Sequence, residues 1–417
     1  ELEAAGSPGD LGLAQGRAFA DRIRSNLQFY INWLSESGRF SRDELLARAG
    51  SFGPVLADHM PDILEEIDGI ARGARMSLDE ILLINARTDV RAMVDAELAA
   101  EAIPACTALA LTGSVDGRTA LALSQNWDWD PALADAPVVL RLRPDGGPAL
   151  VSLVEAGMTG KIGFNEHRLG VCLNFLGHTS DGRPGEVGVP IHCLLRAAMN
   201  CRDLDEVITL IHSVPRSASA NFLLAQHGDG GPRAIDLEIS PDGVAVLADP
   251  DVDLIHTNHF LDPWLALGCS SQDSPSSTTR YANAVRLAGE LASVHDPVPR
   301  AERILESRDG LPYPISRYHN PDPDSSTLAG IVMDLTRNRL VLARGAPHHR
   351  HLPCGHRPSQ PLGPHPRRRH RPRHRGGRRA GCGVTGRETR DGALLEGVMT
   401  FEGTIGALRA EKRIKRE

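Results

Sequence analysis

Cys106 stands where the chain changes character. The residues before it, roughly a hundred, carry helical periodicity, while Thr107-Ala-Leu-Ala-Leu-Thr112 directly after it reads as a strand entering a hairpin. A cut between Ala105 and Cys106 leaves Cys106 with both a thiol and a free α-amine, a nucleophile and its own base in one residue. A lone cysteine is as readily a small buried hydrophobe, so its company decides. Asp128 closes Gln125-Asn-Trp-Asp128, at the end of the strand that pairs back against the one beginning at Cys106. A hairpin of that length returns Asp128 to the start of the first strand, where its carboxylate either holds a freed α-amine or caps a turn. Asn174, in Gly170-Val-Cys-Leu-Asn174, sits among apolar residues on a buried strand. An amide there must find partners, so it is either a satisfied core residue or a neighbour of an oxyanion hole.

Two further groups complete the set. Asn258 lies in His256-Thr-Asn-His259 and can donate its side-chain N–H to a developing oxyanion. The two histidines look like a metal pair but lack a third ligand at a recognisable spacing. A Cys106–His259 dyad of the papain type is another option, although the local signature of that family is absent. Arg317, in Pro314-Ile-Ser-Arg317, can clamp a carboxylate or orient a catalytic one bidentately.

The elements that must position these groups are legible as patterns. Leu11 to Leu34 and Pro61 to Ala74 have apolar residues at helical spacing, and Ser77-Leu-Asp-Glu80 is a capping box opening a helix through Arg87. Strand pairs then follow. Thr107–Leu111 and Thr119–Ser124 flank Asp116-Gly117, and Val138–Arg143 and Ala149–Val154 flank Pro144-Asp-Gly-Gly147, both hairpin signals. Lys161–Phe164 and Leu169–Phe175 make a third pair, with tight turns at the glycines of Glu155-Ala-Gly-Met-Thr-Gly-Lys-Ile-Gly-Phe-Asn165. Helices over Pro190–Asn200 and Leu204–Ser213 precede strands at Ala220–Gln226, Arg233–Ile239, Val244–Leu247 and Leu254–Thr257. Helices over Thr279–Ser293 and Pro299–Glu306 lead to a last hairpin, Leu328–Leu335 and Arg339–Arg344. Antiparallel pairs with helices grouped between them predict an α+β fold of stacked antiparallel sheets covered by helix pairs, not a doubly wound one.

Composition sets the bounds. Hydrophobic content of 41% and charged content of 24% fit a globular protein, and no apolar run reaches the length of a membrane span. Seven scattered cysteines do not make a disulfide scaffold, which points to a reducing cytoplasm. The net charge of -7 hides an acidic body and a run from about Pro347 to Arg379 dense in His, Arg and Pro. That run cannot bury a core and is expected to be disordered. It reads as an inert tail or a reading-frame artefact, with nucleic-acid binding as the rival from another class.

Taken in order, Asn85-Ala-Arg87, Cys106-Thr107, Gln125-Asn-Trp-Asp128, Glu155-Ala-Gly157, Gly160-Lys-Ile-Gly-Phe-Asn165, Gly188-Val-Pro190 and His256-Thr-Asn-His259 resemble the isopenicillin N acyltransferase family, over about residues 5 to 346. This is the autoproteolytic cysteine branch of the N-terminal-nucleophile hydrolases. The resemblance implies a four-layer αββα fold, with a helical pro-segment over 1–105, a catalytic chain over 106–346 and a separate basic tail over 347–417. It carries the nucleophile onto Cys106, the amine partner onto Asp128 and the oxyanion donor onto Asn258. Arg317 falls where the family has an arginine near the site, and Asn174 corresponds to an active-site Asn of the related bile-salt hydrolases. Gln125 stands where that related group has an arginine, which favours the acyltransferase branch. Ala105 stands where the family usually has Gly before the nucleophile, and the tail matches nothing in it.

The implied activity is transfer of an acyl group between a thioester (acyl-CoA) or amide and an amine through an acyl-Cys106 intermediate. The alternative on the same fold is an amidase cleaving an N-acyl amine or small peptide-like amide. No metal or bound cofactor is implied, and acyl-CoA enters only as a co-substrate. The expected partners are a small-molecule acyl donor, an amine acceptor and the cleaved pro-segment as a heterodimer partner. No membrane partner is expected.

Overall fold

Serine caps open the leader. In the computed structural model, which describes residues 1–35, 38–98, 105–248, 253–269, 274–318, 325–347, 397–400 and 410–411, Ser7, Ser41 and Ser77 each accept from the backbone N–H three residues on. Asp10, Glu44 and Glu80 bond back to the cap, so two orphan donors are satisfied reciprocally. The leader contains α1 (Pro8–Leu34), α2 (Arg42–Gly50), α3 (Phe52–His59), α4 (Pro61–Ala74), α5 (Leu78–Asn85) and α6 (Arg87–Leu98). Helices α1 and α4 run almost in backbone contact. A Cβ on Gly12 would lie 1.9 Å from the Glu66 carbonyl oxygen, and Gly16, Gly69 and Gly73 are equally closed off. Glycine permits that approach because it has no side chain to displace.

Strand β1 (Leu2–Gly6) was not expected from the sequence. It runs parallel to β4 (Pro137–Pro144), with Leu2 opposite Leu140. It edges an eight-stranded sheet that continues through β5 (Leu150–Glu155), β6 (Ile162–Asn165), β7 (Leu169–Phe175), β8 (Ala220–Gly228), β9 (Gly231–Ser240) and β10 (Gly243–Leu247). The second sheet has seven strands in the order β11 (Leu254–His256), β2 (Ala105–Val115), β3 (Arg118–Trp129), β12 (Ser326–Asp334), β13 (Arg339–Arg344), β14 (Gly397–Thr400) and β15 (Ala410–Glu411). Pairing throughout it is antiparallel. The β2–β3 hairpin turns at Asp116 and Gly117, both at positive φ (51° and 75°), the conformation its Asp-Gly pair announces.

The central hairpin is buried on both faces. Ala108, Ala110, Leu121 and Leu123 pack into the core between the sheets, together with Cys106 and Trp127. Leu109, Leu111 and Ala122 pack the other way, under α9 (Pro275–Glu290) and α10 (Pro297–Leu305). The leader, with α7 (Ile191–Ala198) and α8 (Leu204–Ser213), covers the far face of the eight-stranded sheet. The result is the helix–sheet–sheet–helix α+β architecture expected from the paired strands and grouped helices.

Two short strands fall within the 347–417 segment. Gly397–Thr400 pairs with β13 and Ala410–Glu411 pairs with β14. An exposed strand edge presents a row of unpaired N–H and C=O groups, and Gly397-Val-Met-Thr400 is apolar enough to take it. The Arg/His/Pro-rich run itself, its nucleic-acid reading, Cys354 and Cys382 lie outside the described residues. Among the described residues no helix is long and apolar enough to cross a membrane.

Candidate active site

Strand register fixes where each group points. Ala105 is opposite Asp128, and Cys106 is opposite Trp127. Directly opposed residues share a face and successive residues alternate. The Cys106 thiol therefore lies beside Trp127 between the sheets, while the Asp128 carboxylate lies on the face toward α9. Cys106 is only 6% exposed, and its Sγ is 4.0 Å from the Asp128 carbonyl oxygen. It opens on a pocket bordered also by Arg87, Thr88, Trp127, Trp129, Lys161 and Phe175.

The backbone of Cys106 is held on both sides. Its N–H donates to Asn258 Oδ1 at 2.8 Å, and its carbonyl accepts from Arg280 Nη1 at 2.5 Å. Arg280 Nη2 also donates to Asn258 Oδ1, at 2.9 Å, while Asn258 Nδ2 donates to the Phe175 carbonyl at 3.0 Å. Two donors on one end of the amide and an acceptor on the other leave a single orientation for Asn258. Its oxygen thus meets the Cys106 nitrogen. The sequence reading gives the freed amine to Asp128 and a donor's role to Asn258; in the uncut chain it is the amide nitrogen that rests on Asn258. One of the two Asn258 side-chain N–H groups goes to Phe175, which leaves the second for a ligand.

Asp128 is fully buried but incompletely bonded. Thr327 Oγ1 donates to its Oδ1 at 2.6 Å. Its Oδ2 lies 3.4 Å from Arg317 Nε without hydrogen-bond geometry, and neither atom has another partner. Burial pushes the Asp128 carboxyl up to about 6, against the pull of Arg317, Arg280 and Thr327. Burial and the Asp128 charge also raise the Cys106 thiol, with Lys161 and Arg280 opposing. Arg317 Nη2 donates to Ser276 Oγ, and its backbone N–H donates to Thr327 Oγ1 at 2.9 Å. The arginine and the threonine thus form one unit behind Asp128.

A second buried ionic group borders the pocket from the other sheet. Glu155 Oε1 accepts from Arg87 Nη2 at 2.6 Å and from Lys161 Nζ at 2.7 Å, and its Oε2 accepts from the Tyr30 hydroxyl. Burial alone would raise Glu155, but Arg87 and Lys161 outweigh it and hold the carboxyl well below the usual range. The Lys161 ammonium lies 3.4 Å from the centroid of the Trp127 ring. Burial lowers Lys161 to about 8, with Glu155 resisting. His192 is neutral: Arg87 Nη1 donates to its Nε2 at 2.8 Å, and its Nδ1–H faces the Gly160 carbonyl at 3.3 Å.

The remaining sequence candidates divide. Asn174 donates to the His256 carbonyl at 3.4 Å and accepts from Asn221 at 3.3 Å, so it bridges the sheets beside the site with both ends occupied. His256 is tied to Glu238 at 2.8 Å, and that carboxylate and Asp236 raise it despite burial. His259 Nδ1 meets Ser277 Oγ at 2.7 Å and Thr257 Oγ1 at 3.2 Å, and burial, His256 and Arg280 push it down to about 4. Among the described contacts it has none with Cys106, so the papain-type dyad is not formed. No three His, Cys, Asp or Glu side chains gather as a metal group among the described residues. Gln125 spends its amide on both backbone groups of Leu173.

Sequence reasoning missed Arg280, Thr327 and the role of Lys161. Lys161 sits inside a motif that is conspicuous for its glycines. Arg280 follows Ser276-Ser-Thr-Thr279, and that polar run gives no sign that its arginine turns inward. Their signal is the burial of charge, which pattern alone does not show.

The family model described as acyl-coenzyme A:6-aminopenicillanic acid acyl-transferase matches residues 115–349. A curated protein of Emericella nidulans, the acyl-coenzyme A:6-aminopenicillanic-acid-acyltransferase 40 kDa form, is 28% identical over 347 residues, 82% of this chain and 91% of its own. Among solved structures, a conjugated bile acid hydrolase variant from Clostridium perfringens overlaps with a TM-score of 0.39 and 14% identity, covering 57% of this chain and 89% of that one. The Caenorhabditis elegans N-acylethanolamine-hydrolyzing acid amidase ortholog gives 0.39 and 15% over 55% and 93%. Penicillin V acylase from Agrobacterium tumefaciens gives 0.38 and 15% over 57% and 83%.

Proposed function

The chain belongs to the acyl-coenzyme A:6-aminopenicillanic acid acyl-transferase family, and on that footing we propose that it cuts itself before Cys106 and then transfers acyl groups through a thioester on Cys106. It is an enzyme of acyl transfer or amide hydrolysis. The observation that supports Cys106 as the reacting residue is its setting. It is a pocket-lining thiol whose backbone nitrogen is already gripped by a buried amide oxygen and whose carbonyl is gripped by a buried arginine.

In self-cleavage the thiol attacks the Ala105 carbonyl. The carbon–nitrogen bond breaks, a thioester forms, and water opens it to a carboxyl at Ala105 and a free thiol at Cys106. The new α-amine stays on Asn258 Oδ1, and the unsatisfied Oδ2 of Asp128 supplies the negative field that draws it in. A terminal amine titrates at about 7.7–8.0 when unperturbed, so it serves as base near neutral pH. In turnover it takes the thiol proton, Sγ attacks a thioester or amide carbonyl, and the proton passes to the leaving thiol or amine. The free side-chain N–H of Asn258 stabilises the oxyanion. An amine then takes the acyl group from Cys106, and water takes it when hydrolysis prevails.

Intact-mass analysis of the purified protein tests this. The expected result is two chains with a new N-terminus at Cys106, and a single uncut, inactive chain for Cys106→Ala. A wild-type protein that is fully active while remaining one chain overturns the self-cleavage. An active Cys106→Ala overturns the nucleophile.

A further inference from the structure

The uncut chain poses a problem that the mature one does not. Before cleavage Cys106 has no α-amine, so its base in turnover is missing when the first attack must occur. The thiol is raised by burial and by the Asp128 charge, so some other group must take its proton. Asp128 is on the opposite face of the hairpin and reaches the thiol only through its backbone carbonyl. His192 has both ring nitrogens engaged, by Arg87 and by the Gly160 carbonyl. His256 is held by Glu238, and His259 by Ser277 and Thr257.

Lys161 alone of these side chains is on the thiol's face with an unengaged edge. It borders the same pocket as Cys106. Its ammonium sits over the ring of Trp127, the cross-strand neighbour of Cys106. Its one described hydrogen bond goes to Glu155, which leaves two of its three positions on nitrogen for other partners.

We propose that Lys161 is the general base of self-cleavage, taking the proton of Cys106 Sγ as the sulfur attacks the Ala105 carbonyl. This rests on the self-cleavage proposed above and adds a residue to it. The steps balance. The S–H bond breaks and the proton goes to Nζ while the S–C bond forms. As the C–N bond breaks, that proton moves on to the departing Cys106 nitrogen, and Lys161 ends as it began.

The charges around Lys161 favour this use. Arg87 on α6 and Glu155 on β5 form a neutral pair, Tyr30 on α1 donates to that pair, and His192 on α7 is neutral. A protonated Lys161 is therefore one cation in excess in a buried group, and giving up a proton relieves the excess. This accords with its value of about 8, set by burial against Glu155, with Arg87 lowering it and Cys106 raising it. Once the α-amine is exposed, the base for turnover is carried by Cys106 itself.

The test is the rate of self-cleavage of the freshly made full chain, followed by intact mass between pH 5 and 9. Wild type should speed up with rising pH and level off above about 8. Lys161→Met should cleave slower by roughly 10²–10⁴-fold and lose that inflection. Lys161→Arg keeps the cation but cannot give up its proton in this range, and it should be as slow as Lys161→Met. A fast Lys161→Arg, or a wild-type profile flat through pH 8, overturns the proposal, and the second needs no variant. Failure of the wild-type chain to cleave at any pH overturns instead the reading on which this one rests.

Discussion

Asp128 and Glu155 are both fully buried carboxylates facing two cations each, and they flank the same cysteine from opposite faces of a hairpin. Glu155 has its oxygens filled by Arg87, Lys161 and Tyr30, and the pairing overrides burial so that it stays ionised. Asp128 has one oxygen hydrogen-bonded to Thr327 and the other 3.4 Å from Arg317 Nε with no hydrogen bond, and burial prevails to push it up to about 6. A buried polar atom without a partner is rare and calls for a reason. The saturated carboxylate fixes its neighbours in place. The unsaturated one has interaction left to give, and the nearest group that the proposed cleavage would create is the α-amine of Cys106.

The sharpest way to break this contrast is to neutralise each carboxylate in turn. Asp128→Asn should lower turnover by roughly 10²–10⁴-fold, the usual worth of a group that tunes proton transfer. Its effect on stability should be smaller than that of losing a filled carboxylate, because relief of its own buried charge opposes the loss of the anion that Arg317 and Arg280 face. The sign of that relief follows from the direction of the shift. A carboxyl raised in the folded state binds its proton more tightly there, so above about 6 its ionisation weakens the fold, and a neutral amide removes that cost. Wild-type turnover should also fall as pH drops through about 6, and the variant should lose that limb. Steady-state rates against pH, with urea unfolding alongside, check both. A variant that unfolds readily while its residual folded fraction turns over normally would assign Asp128 to structure instead.

That Asp128 belonged near Cys106 was legible, because the Asp116-Gly117 turn sets the register of the hairpin and the register returns Asp128 to its start. The same register also sets the face, which the sequence reading left unused. Counting from Cys106 to Trp127 puts the thiol and the carboxylate on opposite sides of the strand pair, so the amide oxygen of Asn258, from the neighbouring strand end, meets the nitrogen first. Most strands were legible from alternation and turn residues. β1 was not, because Leu2-Glu-Ala-Ala-Gly6 has no β-branched or aromatic residue and its partner Leu140 is remote in sequence. Arg280 and Lys161 were invisible as site residues for a common reason. A buried cation looks like a solvated one until the opposing charges, here Asp128 and Glu155, are placed beside it.

Glu155→Gln should cost more stability. It leaves Arg87 and Lys161 buried and uncompensated, and breaking a buried pair by removing one partner costs roughly 3–5 kcal/mol. We expect that loss at pH 7 in urea unfolding of a Cys106→Ala background, where the protein stays one chain. Lys161 should then give up its proton more readily, since the carboxylate that raises it is gone. A Glu155→Gln protein as stable as its parent would mean that the two carboxylates differ less than their hydrogen bonds suggest.

Tyr30→Phe is the mildest probe, because it removes one donor and leaves both cations on Glu155. A hydrogen bond to a charged group contributes roughly 1.5–3 kcal/mol, and the ring of Tyr30, which stacks under Arg87 at 4.9 Å, is kept. The loss at pH 7 should fall in that range. Its pH dependence distinguishes a hydrogen bond from packing. Glu155 is held below its unfolded value, so its contribution is fully present above that value and is lost as pH falls toward the folded one. Without the Tyr30 donor the folded value rises, so the acid loss, which sets in at the unfolded value in both proteins, should be smaller and finish at a higher pH than in the parent. If the deficit of Tyr30→Phe is instead the same at every pH, the hydroxyl serves packing alone, and the saturation of Glu155 rests on Arg87 and Lys161.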